Sequence, residues 1–364
     1  MERIKRVIEW LKDNDHSMAF IQDKTSIFYL TGFYCDPHER LVSLLLFPEA
    51  EPCLICPNME TSLVKEAGWT GEILGYSDIE DPWLLVRQAV EKRNAVLTSC
   101  IVEAPRLTYA RVQALQDAFP AIKLINGEPF LMELRKQKSA KELTTLKEAA
   151  ALADYGVEVG VQAIQEGRSE IEILALIEYE LKRKGVRDMS FGTLVLSGDQ
   201  SANPHGNPGK RTIKKGDFVL FDLGVVLDGY CSDITRTVAF HHVTDQQQDI
   251  YETVRKAQQA ALDACRPGVE IRTLDQIART IITEAGYGDY FPHRIGHGLG
   301  MEVHELPSLN ETNTDRLQKG MVFTIEPGIY LPSIGGVRIE DDVVITEDGY
   351  QTLTNYPKNL QIIT

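Results

Sequence analysis

At 364 residues the chain is longer than one ordinary hydrophobic core supports, and two domains are the default for that length. Hydrophobic residues make up 43% and charged residues 25%, which matches folded globular chains and excludes a disordered one. Lys plus Arg total 38 against 53 Asp plus Glu, and the formal charge of -15 repels phosphate backbones and anionic lipid, so neither nucleic acid nor a membrane surface is an expected partner.

Taken in chain order, MERIKRVIEWLKDND places Ile4, Val7, Ile8 and Leu11 at helical spacing and lacks the unbroken apolar centre of a signal peptide. An amphipathic first helix and a cytoplasmic location are expected. The run LVSLLLF at 41–47 is far short of the ~20 residues that cross a bilayer. Four β-rich runs follow the first helix: SIFYLTGF at 26–33, LVSLLLF at 41–47, PCLICP at 52–57 and VLTSCIVEA at 96–104. A helix is expected over TYARVQALQDAF at 108–119. Cys53 and Cys56 form a lone CxxC inside a strand-like run with no second pair, so core thiols in a reducing compartment are the simpler reading. Residues 1–133 are therefore expected to form an α/β domain.

The stretch carrying Arg135, Lys136, Lys138 and Lys141 changes the character of the chain and opens a long amphipathic helix, with Leu143, Leu146, Ala150 and Ala153 on one face. Further helices are expected at about 169–185, 246–265 and 272–285, separated by hairpins and followed by a strand-rich end. Blocks of this kind predict an α+β domain over 134–364, with a largely antiparallel or mixed sheet and helices on one face.

Three stretches carry chemistry. In FVLFDLGVVLDGYCSDITRTVAF, two apolar arms flank Asp228-Gly229, a strong two-residue hairpin signal. That register sets Asp222 opposite Thr235, with Asp233 a diagonal neighbour. Two carboxylates so close are costly unless a proton or cation intervenes; the alternative is a turn cap or a pairing with Arg236. In FPHRIGHGLGMEVHELP, His293, His297 and His304 lie among glycines that leave His297 accessible. In VFTIEPGIYLPSIGGVRIEDDVVIT, Glu326 and Glu340 sit in apolar β runs and need partners, although the long connection leaves their register open.

Four carboxylates and one imidazole balance two divalent cations. Such an oxygen-rich set favours manganese, cobalt or iron over structural zinc, and a pair of ions ~3.5 to 4 Å apart lowers the pKa of a water between them. Manganese is expected first, with cobalt, iron or zinc as alternatives.

With these residues in place, the chain resembles the prolidase, aminopeptidase P and methionine aminopeptidase group of dinuclear metallopeptidases. The motifs NPHG, FDLG with SDITRT, HRIGHGLG with VHE, TIEPGIY and GVRIED occur in the family's order over roughly 135–360. The resemblance implies a C-terminal pita-bread (creatinase-like) catalytic domain behind a smaller creatinase-like α/β domain. It implies Asp222, Asp233, His297, Glu326 and Glu340 as metal ligands, with Asp233 and Glu340 bridging both ions and Glu326 also the proton acceptor. It gives His205 and His304 substrate and transition-state roles; on its own residues NPHGNPG reads as a solvated loop. Arg338 is expected to orient the acids or meet a substrate carboxylate, and Thr235 to donate to a ligand Asp. His241 and His242 read as surface residues.

The implied activity is metal-dependent hydrolysis of Xaa-Pro bonds in small proline-containing peptides, by a homodimer. Xaa-Pro dipeptidase leads, with aminopeptidase P acting on longer peptides as the alternative. The arginine that many prolidases carry shortly after VHE-P is absent, since Pro307, Ser308 and Leu309 stand there. A metal-free creatinase-like hydrolase and a catalytically inactive binding module on the same fold are the remaining readings, and retention of all five ligand types argues against both.

Overall fold

The computed structural model describes residues 2–364, which divide into two compact units, the first ending at Leu134 and the second running from Arg135 to Thr364. In the first, α1 (Glu2–Asp13) buries Ile4, Val7 and Leu11 at the expected spacing. Strand β1 (Met18–Ile21) leads into α2 (Lys24–Thr31), where the sequence predicts a strand. The helix wins because both its ends are capped. Asp23 accepts the backbone N–H groups of Thr25 at 3.0 Å and Ser26 at 3.2 Å, and Gly32 closes the last turn at φ 78°. These caps outweigh the β propensity of Ile27, Phe28 and Tyr29.

The rest of this unit comprises β2 (Ser43–Leu46), β3 (Cys53–Pro57), α3 (Thr61–Glu66), β4 (Glu72–Tyr76), α4 (Pro82–Lys92), β5 (Ser99–Val102), α5 (Tyr109–Ala118), β6 (Lys123–Asn126) and α6 (Glu128–Lys136). Its six strands form one sheet in the order β4-β3-β2-β1-β5-β6, parallel except that β2 runs against both neighbours. Cys53 and Cys56 are buried in β3, and burial pushes their thiols up to about 11 and about 12, so they pack as small apolar groups. Among the described residues no helix is long and apolar enough to cross a membrane.

The second unit opens with α7 (Ala140–Gln162), started by a capping box between Ser139 and Glu142, and α8 (Glu170–Arg183). Strands β7 (Asp188–Met189), β8 (Leu194–Ser197), β9 (Phe218–Leu223), β10 (Val225–Leu227), β11 (Tyr230–Cys231) and β12 (Ile234–Phe240) follow, then α9 (Asp245–Asp263) and α10 (Ile271–Glu284). The chain ends with β13 (Gly296–Gly298), β14 (Glu305–Leu309), β15 (Val322–Ile325), β16 (Gly328–Leu331), β17 (Gly335–Arg338), β18 (Asp341–Ile345), β19 (Tyr350–Thr352) and β20 (Ile362–Ile363).

Instead of one sheet with helices on one face, this unit has two principal sheets, β20-β12-β9-β8 and β14-β13-β15-β18-β19, each with its own helix pair. The sheets are antiparallel apart from β12 against β20. Strand periodicity then sorts the side chains. Val219, Phe221 and Leu223 of β9 and Ile234 and Val238 of β12 pack with α7 and α8, which leaves Asp222 and Thr235 on the opposite face. Phe323 and Ile325 of β15 and Val343 and Ile345 of β18 pack with α9 and α10, and Glu326 and Glu340 follow the other parity.

Candidate metal centre

The first acidic hairpin turns at Asp228 and Gly229, whose φ values of 47° and 81° suit a tight two-residue turn. Its register sets Leu227 opposite Tyr230 and Asp222 opposite Thr235. Between those pairs the arms change sheets, because Leu223 still belongs with Ile234 while Val225 pairs with Met189 of β7. Gly224 permits the crossing, since a Cβ there would lie 1.8 Å from the Ser232 carbonyl oxygen. Asp222 is the last polar residue before this break and Asp233 the first residue after it.

The second hairpin repeats the arrangement at larger scale. Ile325 pairs with Asp341 across β15 and β18, and beyond that pair the chain leaves as the separate ribbon of β16 and β17, with Gly328 opposite Arg338. Glu326 and Glu340 stand where the two ribbons meet. The backbone N–H of Glu326 donates to Ile295 O at 2.8 Å, and that of Glu340 to Thr235 O at 3.1 Å, which ties this hairpin to the histidine strand and to the first hairpin.

His297, on β13, completes the cluster. Its Nδ1 contacts the Gly298 carbonyl at 3.2 Å, which fixes the proton on Nδ1 and turns the Nε2 lone pair toward Glu326 Oε1 at 3.3 Å and Asp233 Oδ2 at 3.7 Å. Burial, reinforced by His304, pushes the His297 imidazole down to about 3, so the ring is neutral. Ligand atoms of Asp233, His297 and Glu340 lie within 4.8 Å of one another, all three residues buried.

Around this nest the carboxylates are held under strong electrostatic pressure. Burial first, then the neighbouring acids, raise Asp233 and Glu340 well above the usual carboxylate range. Burial raises Glu326 to about 7, with Asp222 adding to the shift and Arg338 and Arg294 opposing it. Thr235 Oγ1 donates to Glu340 Oε2 at 2.6 Å, so its partner is a Glu and not the Asp expected from sequence. Arg338 bonds Asp222, donates through Nε to Thr235 Oγ1 at 3.0 Å, and donates through Nη1 to Tyr330 OH at 2.8 Å. Each of its three nitrogens is thus hydrogen-bonded, which orients the acids from a residue that also lines the cavity. Arg236 pairs instead with Asp341 at 2.7 Å, which removes it as a partner for Asp222 or Asp233.

The donor set fits divalent cations. Asp222 Oδ1 and Asp233 Oδ1 are buried without any hydrogen-bond partner, although buried polar atoms are nearly always satisfied. Unpaired carboxylate oxygens in a cavity that also holds a neutral imidazole are what a hard cation neutralises.

The nest opens into a cavity of about 470 Å³, with Phe191, Leu194 and Val303 as apolar walls. His205 is exposed and His304 sits at the cavity edge, its ring centroid 4.2 Å from that of His297. Partial burial, with Arg294 and His205 nearby, lowers the His304 imidazole. His241 and His242 are exposed, outside this cavity. Sequence reasoning did not single out Arg294, Tyr330 or Asp342. Arg294 lines the cavity, Tyr330 accepts from Arg338, and Asp342 Oδ2 accepts the Asp233 N–H at 3.0 Å. The aspartate run Asp341-Asp342 was the only signal for the last, and acid runs are usually surface features.

The family model for metallopeptidase family M24 matches residues 144–347, and that for the creatinase/prolidase N-terminal domain matches residues 3–137. A Bacillus subtilis relative named "Putative dipeptidase YkvY" is 56% identical over the whole of both chains. The solved Xaa-Pro dipeptidase from Bacillus anthracis is 34% identical with a TM-score of 0.93, covering 100% of this chain and 99% of its own. The X-Pro aminopeptidase from Thermotoga maritima is 31% identical with a TM-score of 0.90, covering 99% of this chain and all of its own. The chain belongs to metallopeptidase family M24, with a creatinase/prolidase-type N-terminal domain ahead of a pita-bread catalytic domain.

Proposed function

We propose that this protein is an Xaa-Pro dipeptidase that works with two divalent ions, manganese first, held by Asp222, Asp233, His297, Glu326 and Glu340. The observation that supports the reading is that all five side chains line one cavity, with ligand atoms of Asp233, His297 and Glu340 within 4.8 Å of one another and carboxylate oxygens of Asp222 and Asp233 left unpaired. Two dications match four carboxylate charges. When bound, the ions acidify a water and polarise the scissile carbonyl.

The chain's own residues supply the rest. Glu326, which lines the cavity beside His297, would accept a proton from the attacking water. As the C–N bond breaks, it returns that proton to the leaving nitrogen. A bond to proline is a tertiary amide, so the nitrogen leaves as a neutral secondary amine only if it is protonated. His304 and His205 line the cavity where an oxyanion needs donors. Thr235 and Arg338 hold Glu340 and Asp222 in place, the kind of outer contact worth about 10- to 100-fold in metal affinity or activity.

The test is direct. Metal-stripped protein should be inactive on an Xaa-Pro dipeptide and recover with manganese or cobalt, and metal analysis of the restored protein should find two ions per chain. Failure to recover with every divalent ion tried rules the reading out.

A further inference from the structure

Two guanidinium groups line the cavity, and they differ in one respect. Every nitrogen of Arg338 is hydrogen-bonded, to Asp222, Thr235 or Tyr330, and Asp222 is its ion-pair partner. Arg294 has one described hydrogen bond, from Nη1 to Ser308 Oγ at 2.9 Å, and among the described residues no carboxylate lies within ion-pair distance of it. Its Nε and Nη2 have no hydrogen bond among the described residues, and the residue lines the cavity. A partly buried cation without an anion beside a nest of acids implies that the anion comes from the ligand.

Arg294 is also held in place. Ser308 lies opposite His297 in the pairing of β13 with β14, and its Oγ accepts a second hydrogen bond from Asn310 Nδ2 at 3.0 Å. On either side of Arg294 the chain is pinned by α10: Arg279 donates to His293 O at 2.9 Å, and Ile295 N–H donates to Asp275 Oδ1 at 3.0 Å. The guanidinium is thus anchored one strand from the metal nest. In a dipeptide the free carboxylate belongs to the residue directly after the scissile bond, so its receptor must lie that close, and the acidic nest itself would repel it.

We propose that Arg294, steadied by Ser308 and Asn310, receives the free α-carboxylate of the substrate's second residue and thereby restricts cleavage to dipeptides. The inference rests on the Xaa-Pro reading of the same site and adds the feature that separates a dipeptidase from an aminopeptidase acting on longer chains.

The experiment compares an Xaa-Pro dipeptide with the same dipeptide amidated at its C-terminus, in manganese-loaded wild type, Arg294→Met, Arg294→Lys and Ser308→Ala. Wild type is expected to favour the free acid by about 10- to 100-fold in kcat/KM, the usual value of a hydrogen bond between charged groups. Arg294→Met should collapse that ratio through KM on the free acid, with kcat changed by less than about 3-fold. Arg294→Lys should keep part of the preference, and Ser308→Ala should give an intermediate ratio. Direct binding of free proline against prolinamide should follow the same order. Loss of a merely structural residue would lower rates on both substrates alike and leave the ratio untouched. An unchanged ratio in Arg294→Met, or in both other variants should Arg294→Met not fold, overturns the inference while the Xaa-Pro reading stands. Equal use of acid and amide by wild type overturns it as well. A wild type inert toward both substrates removes the Xaa-Pro reading, and the inference with it.

Discussion

The two acidic hairpins reach the same end by different routes. The first turns on two residues, Asp228 and Gly229, and keeps one register from the turn to Asp222 and Thr235. The second travels from Glu326 to Glu340 through a ribbon that belongs to neither principal sheet. In both, the acids stand where paired arms leave one sheet for another. At such a junction the ladder is interrupted, side chains splay from the regular faces, and carboxylates can meet without the close cross-strand repulsion of a continuous pair. Thr235 joins the two hairpins, since its side chain belongs to the first and its hydrogen bond goes to Glu340 of the second.

If the hairpins are equivalent halves of one centre, their acids should be equally indispensable. Asp233→Asn and Glu340→Gln should each lower kcat/KM by more than ~100-fold, beyond what an outer contact is worth, with folding checked by circular dichroism. A variant of one hairpin that keeps wild-type rates breaks the equivalence. A smaller loss is expected from Thr235→Val, which keeps the shape and removes the hydroxyl that donates to Glu340 and accepts from Arg338. About 10- to 100-fold in metal affinity or activity should go, and a metal titration separates the two. Rates and affinity at wild-type values would show that the hairpins are coupled through the metal ions alone.

The smallest effect is a pH trend. Asp233, Glu340 and Glu326 are raised relative to the unfolded chain, chiefly by burial, with Glu326 at about 7. Between the unfolded carboxylate range and those raised values the metal-free folded state binds more protons than the unfolded state. Their contribution to stability is therefore fully present below about pH 4, where unfolded carboxylates still hold protons, and is lost as pH rises through the raised values. Thermal melting of the metal-free protein should fall between pH 5.5 and pH 8, and manganese should shrink the gap by replacing the protons. A metal-free protein more stable at pH 8 would contradict the assigned crowding of the acids.

Several features are legible in the sequence because their causes are local. The Asp228-Gly229 turn sets its own register, and alternation along β9 and β12 decides which side chains face α7 and α8. The segment at 26–33 is also local: its apolar residues suit a strand, but Asp23 starts a helix before it and Gly32 stops that helix. The register of Glu326 against Glu340 was not legible, because the Pro332-containing turn carries no two-residue hairpin signal, although one register runs from Leu331 opposite Gly335 to Ile325 opposite Asp341.

What the sequence determined by itself was the inventory: two domains, an acidic surface, one tight acidic hairpin, a glycine-flanked histidine, and two glutamates that apolar strands do not hold without partners. The tertiary structure decided which of these share a site and which charges are already spent. Arg338 bonds Asp222 across 116 positions of chain and Arg236 bonds Asp341 across 105, leaving Arg294 without an acid. Charge pairing acts over a few ångströms of space regardless of separation along the chain, so no local pattern distinguishes an engaged arginine from a free one.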